Sequence, residues 1–432
     1  MVEYIFVNTT LALLEARLTR NPLADAELQQ VLTVCVEQVQ GFTKAVQPVL
    51  DNKAFVYNLY SSLIGVLSRD YFNMATERVW DTVPALIASG RSKSQPIAYA
   101  RIEALRYVHM HVLDQLGVDD TLAFLTKYCA VLKGSKLNKE ARLTLSLTVV
   151  GMLEKIAAQP FNQEVDFLEL HRLLAGLFDT FSATKRKQRD VHVQTWYPLL
   201  SALLASADQK FFVQHWIDLC TSMGRPLRDK SLRPFCLQSI KLLVATYCDK
   251  FSADEAGFVT SMDAICALVF PSKITKTTLT YQGESVSSLE LFVDIAVAIS
   301  RRELEYAMRK IVFEFIRADK LRGDSQPEKV YIAVRAIFGI HDAIREDEQR
   351  SMGANLLRIS IDEGPDRTSE GDGGIGTMMK VYMPSICDFL SQILLSLDGM
   401  FGNWLIFNQS RSLDGREFPC RVHLFITSSQ IF

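Results

Sequence analysis

Apolar residues return at α-helical spacing through almost the whole of this chain, and that period limits the folds open to it. Over 301–317, Leu304, Met308, Ile311, Val312 and Phe315 share one face of a 3.6-residue helix. Arg302, Glu303, Glu305, Arg309, Lys310 and Glu314 cover much of the remainder. Glu305 precedes Arg309 by four positions, the order that favours an ion pair on a helix surface. The segment 328–345 repeats the pattern with Val330, Val334, Ile337 and Ile344.

The same reading predicts helices over 2–20, 24–40, 54–68, 71–88, 95–116, 118–133, 137–157, 164–181, 184–205, 208–223, 228–249, 253–270, 286–300, 301–319, 326–346 and 378–398. Start signals support several of them. Asp208 stands before Gln209–Met223, Ser252 before an Asp-Glu pair, and Pro327 suits a first helical turn. Breakers are scarce: 21 Gly and 13 Pro in 432 residues, about 8% against an average near 12%. Hydrophobic residues make up 48%, enough to bury a large core and to exclude a disordered chain. Short connectors make successive helices antiparallel neighbours. So many helices exceed one globular core, and stacking is the alternative. The expected fold is therefore all-α, an α-solenoid of HEAT/armadillo-like antiparallel helix pairs recurring about every 35–45 residues.

Three stretches break the period. Pro271–Ser285 reads as a long loop. Residues 347–377 are acidic and Gly-rich, with Gly371, Gly373, Gly374 and Gly376 clustered, and read as a disordered linker. Beyond a further helix at 378–398, the tail 399–432 loses helical period, and Val422, Leu424 and Ile426 alternate as in a strand. Residues 1–346 form the helical-repeat domain in this division.

Charge and cysteine usage narrow the function. The formal charge is −2, against a dedicated nucleic-acid binder. The longest uncharged stretch, Val191–Ala207, carries His192, Gln194, Thr195 and Pro198; a membrane span needs about 20 mainly apolar residues. The apolar run Tyr4–Leu14 follows Glu3 and no basic segment, unlike a secretory signal. Eight cysteines without a Cys-x-x-Cys pair read as reduced, buried thiols in a cytosolic protein, with no zinc site.

Candidate reactive residues are few. His109 and His111 flank Met110 on a predicted helix, where i and i+2 point apart and share a metal poorly. His341 falls in the apolar row of its helix and reads as a core histidine. His215 and Trp216 read as an aromatic face packed on a neighbouring helix. The Gly371–Gly376 run follows an acidic stretch rather than a strand, unlike a phosphate loop. No nucleophile elbow, phosphate-loop or zinc-protease motif occurs. No catalytic residue, cofactor or metal is expected, and the reading is non-enzymatic. The densest positive cluster is Lys185, Arg186, Lys187 and Arg189, a solvated helix start or a contact patch for an acidic partner.

Specific runs carry a resemblance. Asn58–Val83, then Ala183–Asp218 with Pro198, Leu199, Leu203, Leu204, Gln209, Lys210, Phe211, Phe212 and Trp216, resemble an N-terminal stretch of the Furry family of cell-morphogenesis proteins. Leu268–Ile344 is similar again, through Phe292, Val293, Leu304, Ala307, Met308, Ile311, Phe313, Pro327, Glu328 and Arg335. The blocks keep the family's order and spacing from near Val2 to about Leu397. The resemblance implies a scaffold for polarised growth and cell shape. It implies partnership with an NDR-class protein kinase and its small activator, and with actin- or microtubule-associated proteins, in the cytoplasm at the cell cortex or at sites of polarised growth. No catalytic residue carries over. Family members are far longer, and the tail 399–432 departs from their pattern, as in a truncated or misread gene model. A transport adaptor that binds peptide signals is the alternative for a helical stack of this kind; it calls for an acidic groove, which a balanced charge does not favour.

Overall fold

The computed structural model describes residues 7–12, 23–41, 52–91, 94–134, 137–159, 164–184, 193–251, 255–271, 279–316, 327–359 and 381–391. All regular structure among them is helical, and no strand occurs there. The chain divides into two compact units, Met1–Ile340 and His341–Phe432.

In the first unit the helices are α1 (Asp25–Gly41), α2 (Asn52–Leu67), α3 (Phe72–Trp80), α4 (Val83–Ala88) and α5 (Ser94–Ala104). Next come α6 (Gln115–Leu132), α7 (Lys139–Ala157), α8 (Leu168–Thr184), α9 (Val193–Ala205) and α10 (Gln209–Ser222). The series continues with α11 (Arg233–Thr246), α12 (Glu255–Val269) and α13 (Val286–Arg302). Helix α14 runs as Leu304–Ala307, a π-helical turn Met308–Val312 and Phe313–Ile316. Helix α15 (Pro327–Ile359) begins in this unit. A short helical stretch covers 7–12 in the first unit, and another covers 381–391 in the second, with Ile386 and Phe389 buried.

Alternate helices of the first unit fall into two layers. From α5, the odd-numbered helices pack on one another in sequence: α5 on α7, α7 on α9, α9 on α11, α11 on α13. The even-numbered ones do the same, with α6 on α8 and α10 on α12. Phe178 packs edge-on against Phe211 to link α8 to α10, and the Tyr306 hydroxyl donates to Asp263 to link α12 to α14. Side-chain hydrogen bonds repeatedly span one helix pair. Examples join residues 41, 43, 45, 47, 51 and 53 positions apart. This layering is consistent with an α-solenoid.

The residues explain the elements. Asp114, Asn138, Asp208 and Ser285 cap α6, α7, α10 and α13 by accepting from the amides of Gly117, Ala141, Phe211 and Ser288. The row Leu304, Met308, Ile311, Val312 and Phe315 is buried throughout, and each such side chain stabilises by about 1.5–3 kcal/mol on burial. Glu305 and Arg309 meet at 2.9 Å, on an exposed surface where such a pair is worth well under 1 kcal/mol.

Two predicted helices are broken. The segment 71–88 divides at Asp81–Thr82, where Pro84 opens a new helix. The segment 95–116 ends as an α-helix at Ala104, passes through a 3₁₀ turn Leu105–Tyr107 and then runs as irregular chain to the Asp114 cap. Side chains from elsewhere supply the hydrogen bonds that a helix would have supplied. The Ser68 hydroxyl accepts from the His109 amide at 2.8 Å, Lys155 Nζ donates to the carbonyls of Arg106 and Val108, and Gln159 Oε1 accepts from the Val112 amide at 3.3 Å. The 3₁₀ turn lies so close to α2 that a Cβ on Gly65 would stand 2.5 Å from the Tyr107 carbonyl oxygen. Gly65→Ala is therefore expected to lower stability by about 1–3 kcal/mol, read as a lower urea midpoint at unchanged slope.

At the other end, α15 continues to Ile359, so the boundary expected at 346 falls inside a helix. Glu348, Gln349, Arg350, Met352, Ala354 and Leu356 are strong helix formers, and they outweigh the acidic composition that suggested a linker. Residues 360–377 of that linker, and the tail 399–432, lie outside the described residues, as does the Ser252 cap.

Candidate functional site

Six of the cysteines are built as packing groups. Cys35, Cys129, Cys220, Cys236, Cys248 and Cys266 are buried, whereas Cys387 is exposed. Burial pushes the thiols of Cys35, Cys129, Cys236 and Cys248 up to about 12 and that of Cys266 to about 11, and raises Cys220 as well. A nucleophilic cysteine needs the opposite shift. With iodoacetamide at pH 8 under native conditions, Cys387 is expected to alkylate and these six to resist until denaturant is added. Peptide mapping by mass spectrometry reads the result.

The histidines fall into three settings. His215 packs as the sequence indicates, 4.6 Å from Phe211 and 5.5 Å from Phe178 between ring centroids. His341 does not lie in the core: its side chain is 61% exposed, with Nδ1 3.6 Å from Asp342. The buried row of α15 is Ile332, Ala333, Ala336, Ile337, Ile340 and Ala343, and one residue past Ile340 turns the side chain about 100° away. His109 and His111 also differ from expectation. They lie on irregular chain rather than in a helix, and the two rings meet edge-on at 5.0 Å. Among the described residues no group of three or more His, Cys, Asp or Glu side chains could hold a metal ion.

The basic cluster Lys185, Arg186, Lys187 and Arg189 lies outside the described residues, as does the Gly371–Gly376 run. A different polar surface crosses the odd-numbered layer. A shallow pocket of about 160 Å³ lies between α7, α9 and α11, lined in part by Arg106, Glu154, Pro198, Phe235, Gln238 and Leu242. Burial raises the Glu154 carboxyl, and the charges of Arg106 and Lys241 oppose that rise. Lys241 pairs with Asp294 of α13 at 2.6 Å. One turn away, Glu290 accepts from Tyr331 and from two nitrogens of Arg335, at 2.9 and 3.3 Å. Those bonds hold the Glu290 carboxyl below its ordinary range. Side by side on α7, α11, α13 and α15, these groups form a track of mixed charge with apolar gaps. Phe338, 46% exposed, adds an aromatic face on α15. Sequence reading missed this track because each member looks like an ordinary solvated helix residue. Only stacking at one-pair spacing assembles it.

Among the described residues, stacked helix pairs bury six thiols and carry a mixed-charge track on the surface. A family model described as cell morphogenesis N-terminal matches residues 1–427, and the chain belongs to that family, the Furry family of cell-morphogenesis proteins. The match continues across most of the tail that the sequence reading set apart. The chain is also similar to the cell polarity protein mor2 of Schizosaccharomyces pombe, with 21% identity over 289 residues. That alignment covers 66% of this chain and 13% of mor2, so the chain spans only a small part of that relative's length. Among the described residues no helix is long and apolar enough to cross a membrane.

Proposed function

We propose that this chain is a non-enzymatic scaffold in cell morphogenesis and polarity. Family membership and the likeness to a cell polarity protein support the role. The track across the odd-numbered layer, from Glu154 through Lys241 and Asp294 to Glu290 and Arg335, is the observation that carries the scaffold reading. Such a row suits a partner helix laid over many weak contacts, and the helix pairs read as HEAT/armadillo-type units that present it. The partners proposed are an NDR-class protein kinase and its small activator, held near actin- or microtubule-associated proteins at the cell cortex or at sites of polarised growth. A scaffold of this kind works by effective concentration rather than by chemistry. Lys185, Arg186, Lys187 and Arg189 are proposed as an added contact for an acidic partner. The mixed sign of the track gives no support to a transport adaptor, which needs an acidic groove to read basic signals.

Affinity purification of the full gene product under mild lysis tests the reading. Recovery of an NDR-class kinase or its activator is expected. Recovery of nuclear-import cargo in their place would contradict it.

A further inference from the structure

A pocket of about 350 Å³ opens between α2, the segment after α5 and the end of α7. Its polar lining consists of Ser62, Arg69, Tyr107, His109 and Lys155, with Gly65, Val66 and Leu11 as the apolar wall. Three of these side chains are basic and none is acidic. We propose that this pocket binds a phosphate monoester.

Two features of the lining point to an anion. First, no carboxylate among the described residues pairs with these cations. The Arg69 side chain makes no hydrogen bond or ion pair with the described residues. Lys155 is spent on backbone, donating to the carbonyl oxygens of Arg106 and Val108. Second, the basic groups disfavour one another's charge. Burial lowers His109, and the neighbouring His111, Arg69 and Lys155 lower it further. Burial and the Arg106 charge bring Lys155 down to about 8. Among the described residues no carboxylate offsets either shift. A counter-charge in the pocket would favour the protonated forms of His109 and Lys155.

The pocket's form narrows the ligand. Its volume is at the lower end for small-molecule sites, with room for more than a bare oxyanion. The planar Arg69 guanidinium can grip two oxygens of one phosphate, and Lys155 supplies a point charge. Ser62 adds a hydroxyl, while the Tyr107 hydroxyl donates to Asn58 at 2.9 Å and only borders the pocket. The apolar wall suits the carbon that bears the ester oxygen. A phosphorylated side chain of a partner polypeptide and a free small phosphate ester share this chemistry.

Calorimetric titration of the whole chain tests the assignment, with O-phosphoserine, a five-residue phosphoserine peptide and its unphosphorylated twin as probes, at matched ionic strength in chloride. Both phosphorylated probes should bind and the twin should not. Tighter binding of the peptide identifies a polypeptide source, and equal binding a free ester. Arg69→Ala should weaken binding at least tenfold, and Arg69→Glu should abolish it. Neither should move the urea midpoint without ligand, because the exposed Arg69 side chain holds no other group. His109 ring resonances should shift on binding in the wild-type chain. No heat with either phosphorylated probe, or affinity indifferent to Arg69, would overturn the proposal.

Discussion

Replacing Trp216 with alanine is expected to lower the stability of the first unit by about 3–5 kcal/mol. Trp216 is only 1% exposed, and its ring stacks on Tyr247 at 4.5 Å and on Phe212 at 5.8 Å. The series continues through Phe258 to Tyr306, with centroids 6.3 and 5.9 Å apart. One row of rings thus ties α10 to the π-helical turn Tyr247–Phe251, to α12 and to α14. Truncation removes the largest ring and leaves a cavity that rigid helices on both sides cannot close. Trp216→Phe keeps the stack and should lose less than half as much. Urea unfolding followed by far-ultraviolet circular dichroism measures both; a midpoint unchanged in Trp216→Ala would show that the rings are not packed as described.

An effect of similar size is expected at the one fully buried guanidinium among the described residues. Arg233, 0% exposed, pairs with Glu284, whose side chain is 3% exposed. Its Nε donates to the Leu227 carbonyl at 2.7 Å and another nitrogen to that of Arg228. The pair fastens the connector before α13 onto the start of α11. Tyr281 beside it donates to the Val269 carbonyl at 2.7 Å, and Lys230 donates to that of Gln282 at 2.9 Å. Glu284→Gln leaves the guanidinium buried against a neutral partner and should cost about 3–5 kcal/mol, the usual penalty for breaking rather than replacing such a pair. The double variant Arg233→Met with Glu284→Leu should recover most of that loss. A double-mutant cycle reads the coupling; losses that simply add would refute a shared buried pair.

Much of the fold is legible in the sequence because helix faces are local. The apolar row of α14, the Asp208 cap, the Pro327 start and the Glu305–Arg309 pair all depend on residues within a few positions. The break near Glu303 between α13 and α14 also falls within three residues of its expected place. What escaped is non-local. Residues 108–113 carry enough apolar side chains to pass for helix, but Ser68, Lys155 and Gln159 hold them as irregular chain from more than 40 positions away. That one backbone difference hid the pocket: His109 and His111 were visible as candidates, and a helical frame turned them apart. The Arg233–Glu284 pair is equally silent, since each residue looks solvated until α11 and its distant connector meet. The Pro84 break had a signal in the sequence, and the helical period on both sides of it outweighed that signal.

On the proposed function, the odd-numbered layer holds a partner by its mixed-charge track. Direct binding of the purified chain to an NDR-class kinase with its activator, measured by biolayer interferometry, tests it most closely. Saturable binding is predicted, weakened at least tenfold when Lys241 and Arg335 are both changed to Glu, with the circular dichroism spectrum unchanged. Binding as tight with the track reversed as with it intact would contradict the claim.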